Sequence, residues 1–283
     1  MGKWTAIVLA GERPEPDMFA LANGVPLKAL IAVDGEPMIS RVVRAVLAAP
    51  SVGRVVVLAQ DPARLIAAGT EWMATDGRVT MLPARSGISA SVAAVAGSAE
   101  APYPLVVTTA DHALLRPEMV EGFLAAAGGA DVAAAVVERR VVERGHPGTK
   151  RTWLSFRGGK YSGANLFALA TPASARALEI WSHVERDRKR TWKLLSFFGP
   201  LILIGATTRT LSLKQAARIV SRRFGLRLRV VPLPWAEAAI DVDKQADLDL
   251  VRRIVDQGKV YVGAATVGAM VRFTALVTAA MTT

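Results

Sequence analysis

Two basic residues in the first 30 positions have the spacing and surroundings of a phosphate-binding loop. An apolar run ends at Ala10-Gly11, Arg13 follows shortly after, and Lys28 stands directly before a second apolar run. A glycine loop at the end of a buried strand presents backbone N–H groups, and Lys and Arg side chains add positive charge. Together they can hold the negative charge that builds up on a phosphate under attack. A surface loop with ordinary solvated charges is the alternative, and the apolar neighbours of Lys28 favour the phosphate interpretation.

Asp111 is a candidate ligand for a divalent cation. It follows the apolar run 105–109 and precedes a helix that we expect to begin at Pro117. This places the carboxylate at the carboxyl end of a strand, so we expect it at the same sheet edge as the Gly11 loop. Magnesium prefers one or two carboxylates together with phosphate oxygens and water. Taken alone, an Asp in this position is more commonly a turn residue or a helix cap.

A second acidic candidate is the pair Asp241 and Asp243, in the segment IDVD. Alternate residues of an extended segment point to the same side, so both carboxylates can face one cation. They could complete a magnesium site jointly or singly. Alternatively, Asp243 caps the helix that we expect to begin near Gln245.

The elements that must position these residues alternate between strands and helices over the first 140 residues. Nearly continuous apolar strands separated by helices indicate a parallel sheet that is covered on both faces. The sequence therefore predicts a doubly wound α/β fold with a mostly parallel sheet. The predicted strands are 3–10, 54–59, 79–82, 105–109 and 132–137, and the predicted helices are 37–48, 62–68, 89–96 and 117–126.

The second half of the chain is more basic and less regular. Residues 138–160 are polar and rich in Gly and Pro, which predicts loops and a β-ribbon. A strand is predicted at 161–170, a helix at 173–184 and a further strand at 227–232, followed by a turn into an amphipathic helix. We expect one domain over residues 1–283, with a basic, apolar helical insertion at about 173–225.

Four motifs resemble, in content and in order, those of the nucleotidyltransferase superfamily, and in particular the molybdenum-cofactor guanylyltransferase-like NTP transferases. That family has a loop of the type LAGG…R…K followed by PKALLPVGGKPML, a strand ending in an acid before PLL.PE, a G.N strand and D.DTPEDL. The counterparts here are the segment 7–37, ADHALLRPE around Asp111, SGAN ending at Asn165 and DVDKQADL around Asp243. The resemblance extends from residue 7 to about residue 250 and implies a Rossmann-like nucleotidyltransferase fold.

The resemblance also implies roles for individual residues. Arg13 and Lys28 would contact the triphosphate, and with Asp111 they form the predicted catalytic set. Asp111 and Asp243 would hold Mg²⁺, with Asp241 in reserve for the second acid.

Further roles follow from the remaining motifs. The segment ARSGISASV resembles the loop that contacts the nucleobase, and Asn165 would lie near the second substrate. The predicted nucleotide-binding residues are Ala10, Gly11, Ser86, Gly87 and Ser91. This chain departs from the family pattern at Glu12, which replaces a second glycine, and in the greater length of the loop before Lys28.

The expected activity is a magnesium-dependent nucleotidyl transfer. A phosphate oxygen of the acceptor would attack the α-phosphorus of an NTP and release pyrophosphate. The acceptor would be a phosphorylated sugar, polyol, cofactor or lipid precursor. An anionic phosphate acceptor needs no general base, which agrees with the absence of a well-placed histidine in the motifs.

Two alternatives come from other functional classes. One is a non-catalytic module with a nucleotide-binding fold that binds membranes or polyanions. The other is a glycosyltransferase acting on a nucleotide-sugar. Such enzymes usually carry Asp-x-Asp after a central strand, whereas here it comes late, at Asp241 and Asp243.

The composition restricts the partners without naming one. The formal net charge is +11, which favours anionic partners, and the absence of cysteine excludes disulfides and thiolate metal sites. The basic clusters within 186–223 surround an apolar run, which predicts either a core-packed helix with a solvated basic rim or peripheral contact with an anionic membrane. Nucleic acid is not an expected partner.

The N-terminal apolar run predicts a strand rather than a signal sequence. We therefore expect a cytoplasmic protein, which is membrane-associated if the basic region 186–223 is exposed.

Overall fold

The centre of the fold, in a computed structural model that describes residues 2–12, 15–187 and 210–258, is one mixed sheet of eight strands. A separate antiparallel pair lies beside it. The strands are β1 Trp4–Leu9, β2 Ala32–Val33, β3 Glu36–Pro37, β4 Val52–Ala59, β5 Val79–Pro83, β6 Leu105–Thr109, β7 Val132–Glu138, β8 Leu154–Phe156, β9 Gly159–Leu169 and β10 Leu228–Leu233.

The strand order of the large sheet is β10-β7-β9-β6-β1-β4-β5, and β8 pairs with β9. Strand β1 is parallel to β4 and β6, β4 is parallel to β5, and β10 is parallel to β7. Strand β9 runs antiparallel to both β6 and β7. The prediction of a doubly wound, mostly parallel α/β sheet is therefore confirmed.

Helices cover both faces of this sheet. They are α1 Met18–Ala22, α2 Met38–Leu47, α3 Trp72–Thr75, α4 Ile88–Val95, α5 Pro117–Ala127, α6 Arg139–Gly145, α7 Ala175–Asp187, α8 Leu213–Phe224 and α9 at residues 245–258. Local sequence explains several of their ends. Pro117 occupies the first turn of α5, Ser212 and Gln215 form a capping box at the start of α8, and Gly225 ends α8 with φ +64°.

The segment 138–160 contains a helix that the sequence did not predict. Its first part forms α6, and its last part forms the predicted β-ribbon, in which Leu154 pairs with Tyr161. Helix α6 packs against the short 3-10 helix Ala236–Ala239, so closely that a Cβ on Gly145 would lie 2.7 Å from the Ala236 Cβ. A contact between segments so far apart along the chain has no local signal in the sequence.

The predicted basic insertion at about 173–225 is described only in part. Its helices α7 and α8 are present, and residues 188–209 lie outside the described residues. On α8, Lys214, Arg218 and Arg222 are exposed, while Ala216 is buried. No helix in the described part of the chain is long and apolar enough to cross a membrane.

One small apolar cluster connects the segments that carry the candidate site. It contains Ile31 after Lys28, Leu114 after Asp111, and Ile240 and Val242 beside the acidic pair. These four side chains are almost completely buried. Their packing brings three distant parts of the chain to the carboxyl end of the sheet.

At the opposite end of the sheet, Asp131 joins the ends of β7, β9 and β10. Its carboxylate accepts hydrogen bonds from the backbone N–H and the guanidinium of Arg227 and from the Thr171 hydroxyl. The hydrogen bonds from Arg227, only partly opposed by desolvation, hold the pKa of Asp131 well below its usual range.

Asp131→Ala is expected to lower the free energy of unfolding at pH 7 by about 1–2 kcal/mol, because the hydrogen bonds that the buried carboxylate accepts are lost, while the exposed Arg227 guanidinium can bond to water instead. Since the folded-state pKa is depressed, this stabilisation is fully present above about pH 4 and is lost as the pH falls further. Urea unfolding of the wild type and the variant at pH 7 and pH 3 measures the effect. The gap between the two proteins should narrow at pH 3, and an equal gap at both values would contradict the ionic explanation. Asp256→Ala, at an exposed position on α9, is the control and should show no gap.

Candidate functional site

Lys28, Asp111 and Asp243 meet at the carboxyl end of the central strands. The Lys28 Nζ lies 2.6 Å from Asp111 Oδ2 and 2.9 Å from Asp243 Oδ1. These residues are separated by 83 and 215 positions along the chain from Lys28. The structure therefore brings the basic residue and both predicted metal ligands to one point.

The backbone on both sides of Lys28 is anchored in the core. Lys28 begins the 3-10 helix Lys28–Leu30, and Leu27, Ala29 and Leu30 are buried. This packing fixes where the long lysine side chain starts and leaves its ammonium group to reach the two carboxylates.

Asp111 is held from two directions. The Thr109 hydroxyl donates to Asp111 Oδ1 at 2.6 Å, which leaves Oδ2 for Lys28. The backbone N–H of Val242 donates to the Asp111 carbonyl at 3.1 Å. That bond joins the segment after β6 to the segment that carries the acidic pair.

The two acids of the IDVD segment have different surroundings. Asp241 Oδ1 accepts from Arg151 Nη1 at 2.8 Å, and Asp241 Oδ2 accepts from Asn165 Nδ2 at 3.2 Å. Asp243 instead contacts Lys28, and its side chain is 65% exposed. Both oxygens of Asp241 thus have partners, and Asp243 is the acid of this pair that lies beside Lys28 together with Asp111.

The electrostatics of the cluster follow from its crowding. Burial lowers the pKa of Lys28, but Asp111 and Asp243 more than offset this, so the net shift is upward and the side chain stays an ammonium. Burial, together with Asp243 and Asp111, raises the pKa of Asp241, and Arg151 opposes this only in part. The next residue after Asp111, His112, is fully buried, which lowers its pKa to about 4 and keeps it neutral at pH 7.

The donor set fits magnesium held jointly by the protein and a substrate. Among residues 2–12, 15–187 and 210–258, no group of three or more His, Asp or Glu side chains is arranged to hold a metal ion by itself. Asp111 and Asp243 nevertheless place two carboxylates around one ammonium nitrogen. Two carboxylates completed by phosphate oxygens and water are the ligand set that Mg²⁺ uses in nucleotide sites.

The predicted loop at the end of β1 lies beside this cluster. The backbone N–H of Ala10 donates to the Leu58 carbonyl at 2.9 Å, which fixes the loop next to β4. A Cβ on Gly11 would lie 3.3 Å from Gln60 Nε2, so the loop approaches the next strand end closely. Arg13 lies outside the described residues.

Glu12, which replaces the second glycine of the family loop, ties the loop to the end of β4. Its backbone N–H donates to Gln60 Oε1 at 2.6 Å, and Arg64 Nη1 lies 3.2 Å from both of its carboxylate oxygens. Glu12 is thus bound by Gln60 and Arg64, two contacts that the motif does not predict.

The predicted nucleobase loop follows β5, on the same edge of the parallel strands. Gly87 has φ +127°, and Ser86 is exposed. Ser91 is buried, and its hydroxyl accepts from the Arg85 N–H at 2.9 Å and donates to the Gly87 carbonyl at 2.6 Å. Ser91 therefore shapes the loop, while Ser86 is accessible to a ligand.

Three residues of the site had no predicted role. Thr109 orients Asp111, and Arg151 and Asp247 flank the acidic pair. Asp247 could have been found from its spacing, since it stands four residues after Asp243 at the start of a helix. Arg151 lies in the irregular segment 138–160, where no motif distinguishes it from the other basic residues.

Several solved protein structures share this architecture. A hypothetical transferase from Thermus thermophilus is 28% identical, covers 87% of this chain and 99% of its own, and superposes with a TM-score of 0.74. A CMP:2-keto-3-deoxy-manno-octonic acid synthetase in complex with CTP is 16% identical, covers 91% of this chain and 100% of its own, with a TM-score of 0.56. A 4-diphosphocytidyl-2C-methyl-D-erythritol synthase from Anaerococcus prevotii is 10% identical, covers 90% and 96%, with a TM-score of 0.57. At these low sequence identities, the last two similarities are similarities of fold alone.

No functionally curated protein matches the sequence significantly. The model of the MobA-like NTP transferase domain matches residues 6–190, which is more than half of the chain. The match confirms the resemblance to the nucleotidyltransferase superfamily, and the chain belongs to the family of MobA-like NTP transferase domains.

Proposed function

We propose that this protein is a magnesium-dependent nucleotidyltransferase that moves an NMP group from an NTP to a phosphorylated acceptor and releases pyrophosphate. The observation that supports this most directly is the convergence of Lys28, Asp111 and Asp243 at the carboxyl end of β1 and β6. Open α/β sheets bind nucleotides at this edge. The family assignment independently supports nucleotidyl transfer.

The proposed reaction is an in-line displacement at the α-phosphorus. An oxygen of the acceptor phosphate forms a new P–O bond while the bond to the pyrophosphate group breaks, and no proton has to be removed from the acceptor. Lys28 would move its ammonium contact from the carboxylates to phosphate oxygens and neutralise the charge of the departing pyrophosphate. Bound to Asp111 and Asp243, Mg²⁺ would supply charge neutralisation and orientation of the triphosphate.

The remaining predicted residues would position the substrates. Ala10 and Gly11 provide the backbone wall beside the phosphates, and Ser86 and Gly87 lie on the accessible loop after β5 that would border the base. Asn165, hydrogen-bonded to Asp241, would lie on the acceptor side of the cluster. Arg13 is proposed as a second phosphate contact from the family motif alone.

A pyrophosphate-release screen tests the proposed function. The four NTPs are each combined with phosphorylated sugars, phosphorylated polyols and a phosphorylated lipid headgroup, with Mg²⁺ or with EDTA. We expect release with at least one NTP–acceptor pair, dependent on both substrates and abolished by EDTA. The lipid headgroup is included because Lys214, Arg218 and Arg222 give α8 an exposed cationic side. No NTP consumption with any acceptor, or turnover of a nucleotide-sugar instead, would overturn the proposal.

A further inference from the structure

A buried arginine lies behind the acidic pair. The Arg151 side chain is 9% exposed, its Nη1 lies 2.8 Å from Asp241 Oδ1, and its Nη2 lies 3.3 Å from Asp247 Oδ1. The Asp247 side chain is as buried as that of Arg151. One guanidinium therefore joins two acids that stand on either side of Asp243 in the sequence.

The same contacts determine where Asp243 lies. The second oxygen of Asp247 accepts from the backbone N–H of Asp243 at 3.4 Å, and the N–H of Val242 donates to the carbonyl of Asp111. Asp241 is in turn held by Asn165. The backbone that carries Asp243 is thus fixed on both sides, whereas the carboxylate itself is largely exposed and contacts Lys28.

The positive charge of Arg151 affects Asp243 in a second way, by compensating the two carboxylates next to it. Without the guanidinium, Asp241 and Asp247 would be two uncompensated carboxylates next to Asp243, and either could turn toward a cation in its place. An arginine keeps its charge at all physiological pH values and can bond two carboxylates from one rigid plane. Arg151 uses a different nitrogen for each acid, whereas the single ammonium nitrogen of a lysine would require the two carboxylates to converge on one point.

We infer that Arg151 is a positioning residue for Asp243: by holding Asp241 and Asp247, it keeps the Asp243 carboxylate beside Asp111, where the pair can bind a divalent cation. This inference rests on the proposed function. Arg151 acts through Asp243 and touches no substrate, so its loss weakens metal binding more than it slows the reaction at saturating metal.

The test compares Mn²⁺ binding to the full chain in two single variants and in the variant that combines them. Electron paramagnetic resonance of the free Mn²⁺ measures the binding. Arg151→Lys is expected to weaken binding about 10-fold, the usual effect of removing a group that orients a metal ligand. Asp243→Asn should weaken binding further, and the Arg151→Lys/Asp243→Asn protein should bind like Asp243→Asn alone. With an active substrate pair, Arg151→Lys should need about 10-fold more Mg²⁺ for half-maximal rate and keep kcat at saturating Mg²⁺ within about twofold.

Arg227→Lys is the matched control, because it makes the same change in an Arg–Asp pair at the far end of the sheet. It should leave Mn²⁺ binding unchanged. Asp247→Asn, which keeps the side-chain shape, should weaken binding in the same direction as Arg151→Lys and covers the case in which that variant folds poorly. Wild-type Mn²⁺ affinity in Arg151→Lys, or effects that simply add in the double variant, would overturn the inference. If the wild type binds no Mn²⁺ and consumes no NTP, the proposed function fails as well.

Discussion

Asp111→Ala is expected to lower the rate of pyrophosphate release by roughly 10²- to 10³-fold, comparable to the loss of a preorganised charge-stabilising group. Asp111 supplies the less exposed of the two proposed metal ligands and accepts hydrogen bonds from both Lys28 and Thr109. Without it, Asp243 is the remaining carboxylate at this ammonium, and it is mostly exposed. Steady-state pyrophosphate release at saturating NTP, acceptor and Mg²⁺ measures the effect.

The fold should survive this substitution. The contact between Asp111 and Val242 uses the backbone carbonyl of Asp111, which alanine retains. Thermal melting of Asp111→Ala should therefore stay close to that of the wild type, and Asp256→Ala serves as a control for loss of an exposed acid. Asp111→Asn, which keeps the size but not the charge, should be nearly as inactive. Near-normal turnover in a folded Asp111→Ala protein would exclude the metal assignment.

Lys28→Met is expected to lower kcat by about 10²-fold or more, because the departing pyrophosphate would lose the positive charge that we propose Lys28 to supply. The same variant should bind Mn²⁺ more tightly than the wild type when no nucleotide is present. The reason is geometric: the ammonium contacts the two carboxylates that we propose for the cation, so the cation has to displace it. Asp111→Ala, which removes a proposed ligand, should weaken Mn²⁺ binding, so both variants should be slow but shift metal affinity in opposite directions.

These opposite shifts in metal affinity distinguish the proposed role of Asp111 from that of Lys28 experimentally. Turnover at saturating Mg²⁺ and Mn²⁺ binding to the free protein are measured on the same preparations. Lys214→Met, an exposed lysine on α8, controls for the loss of one positive charge. Unchanged turnover in Lys28→Met, or weaker Mn²⁺ binding than in the wild type, would contradict the proposed role of Lys28.

The sheet and most of its helices could be predicted because their signals are local. Runs such as residues 55–59 of β4 are apolar along their length because both faces of the sheet are covered, and Pro117 marks the start of a helix at its first turn. The antiparallel direction of β9 carries no such signal. A buried strand has the same composition whichever way it runs, and its direction depends on the path of the chain through residues 138–160.

The candidate residues were predictable from motifs, but their relations to one another were not. Alternation along the chain makes Asp241 and Asp243 equivalent. In the structure, Arg151 and Asn165 take both oxygens of Asp241 and leave Asp243 to Lys28. The motif likewise does not show that Ser91, a predicted nucleotide-binding residue, is buried and hydrogen-bonded to Arg85 and Gly87 of its own loop. The partners of Asp241 come from segments outside its motif, and those of Ser91 depend on how its own loop folds back.

The sequence by itself determined the α/β class, the family, and the residue types that reach the carboxyl edge of the sheet. These depend on hydrophobic periodicity and on short motifs, which act over a few neighbouring residues. Only the tertiary structure decided that Lys28 lies between Asp111 and Asp243, that Glu12 is bound by Gln60 and Arg64, and that Arg151 stands behind the acidic pair. Such pairings depend on distances between side chains that are far apart in the chain. For Lys28, Asp111 and Asp243, packing of the apolar cluster around Ile31, Leu114 and Ile240 brings the three segments together.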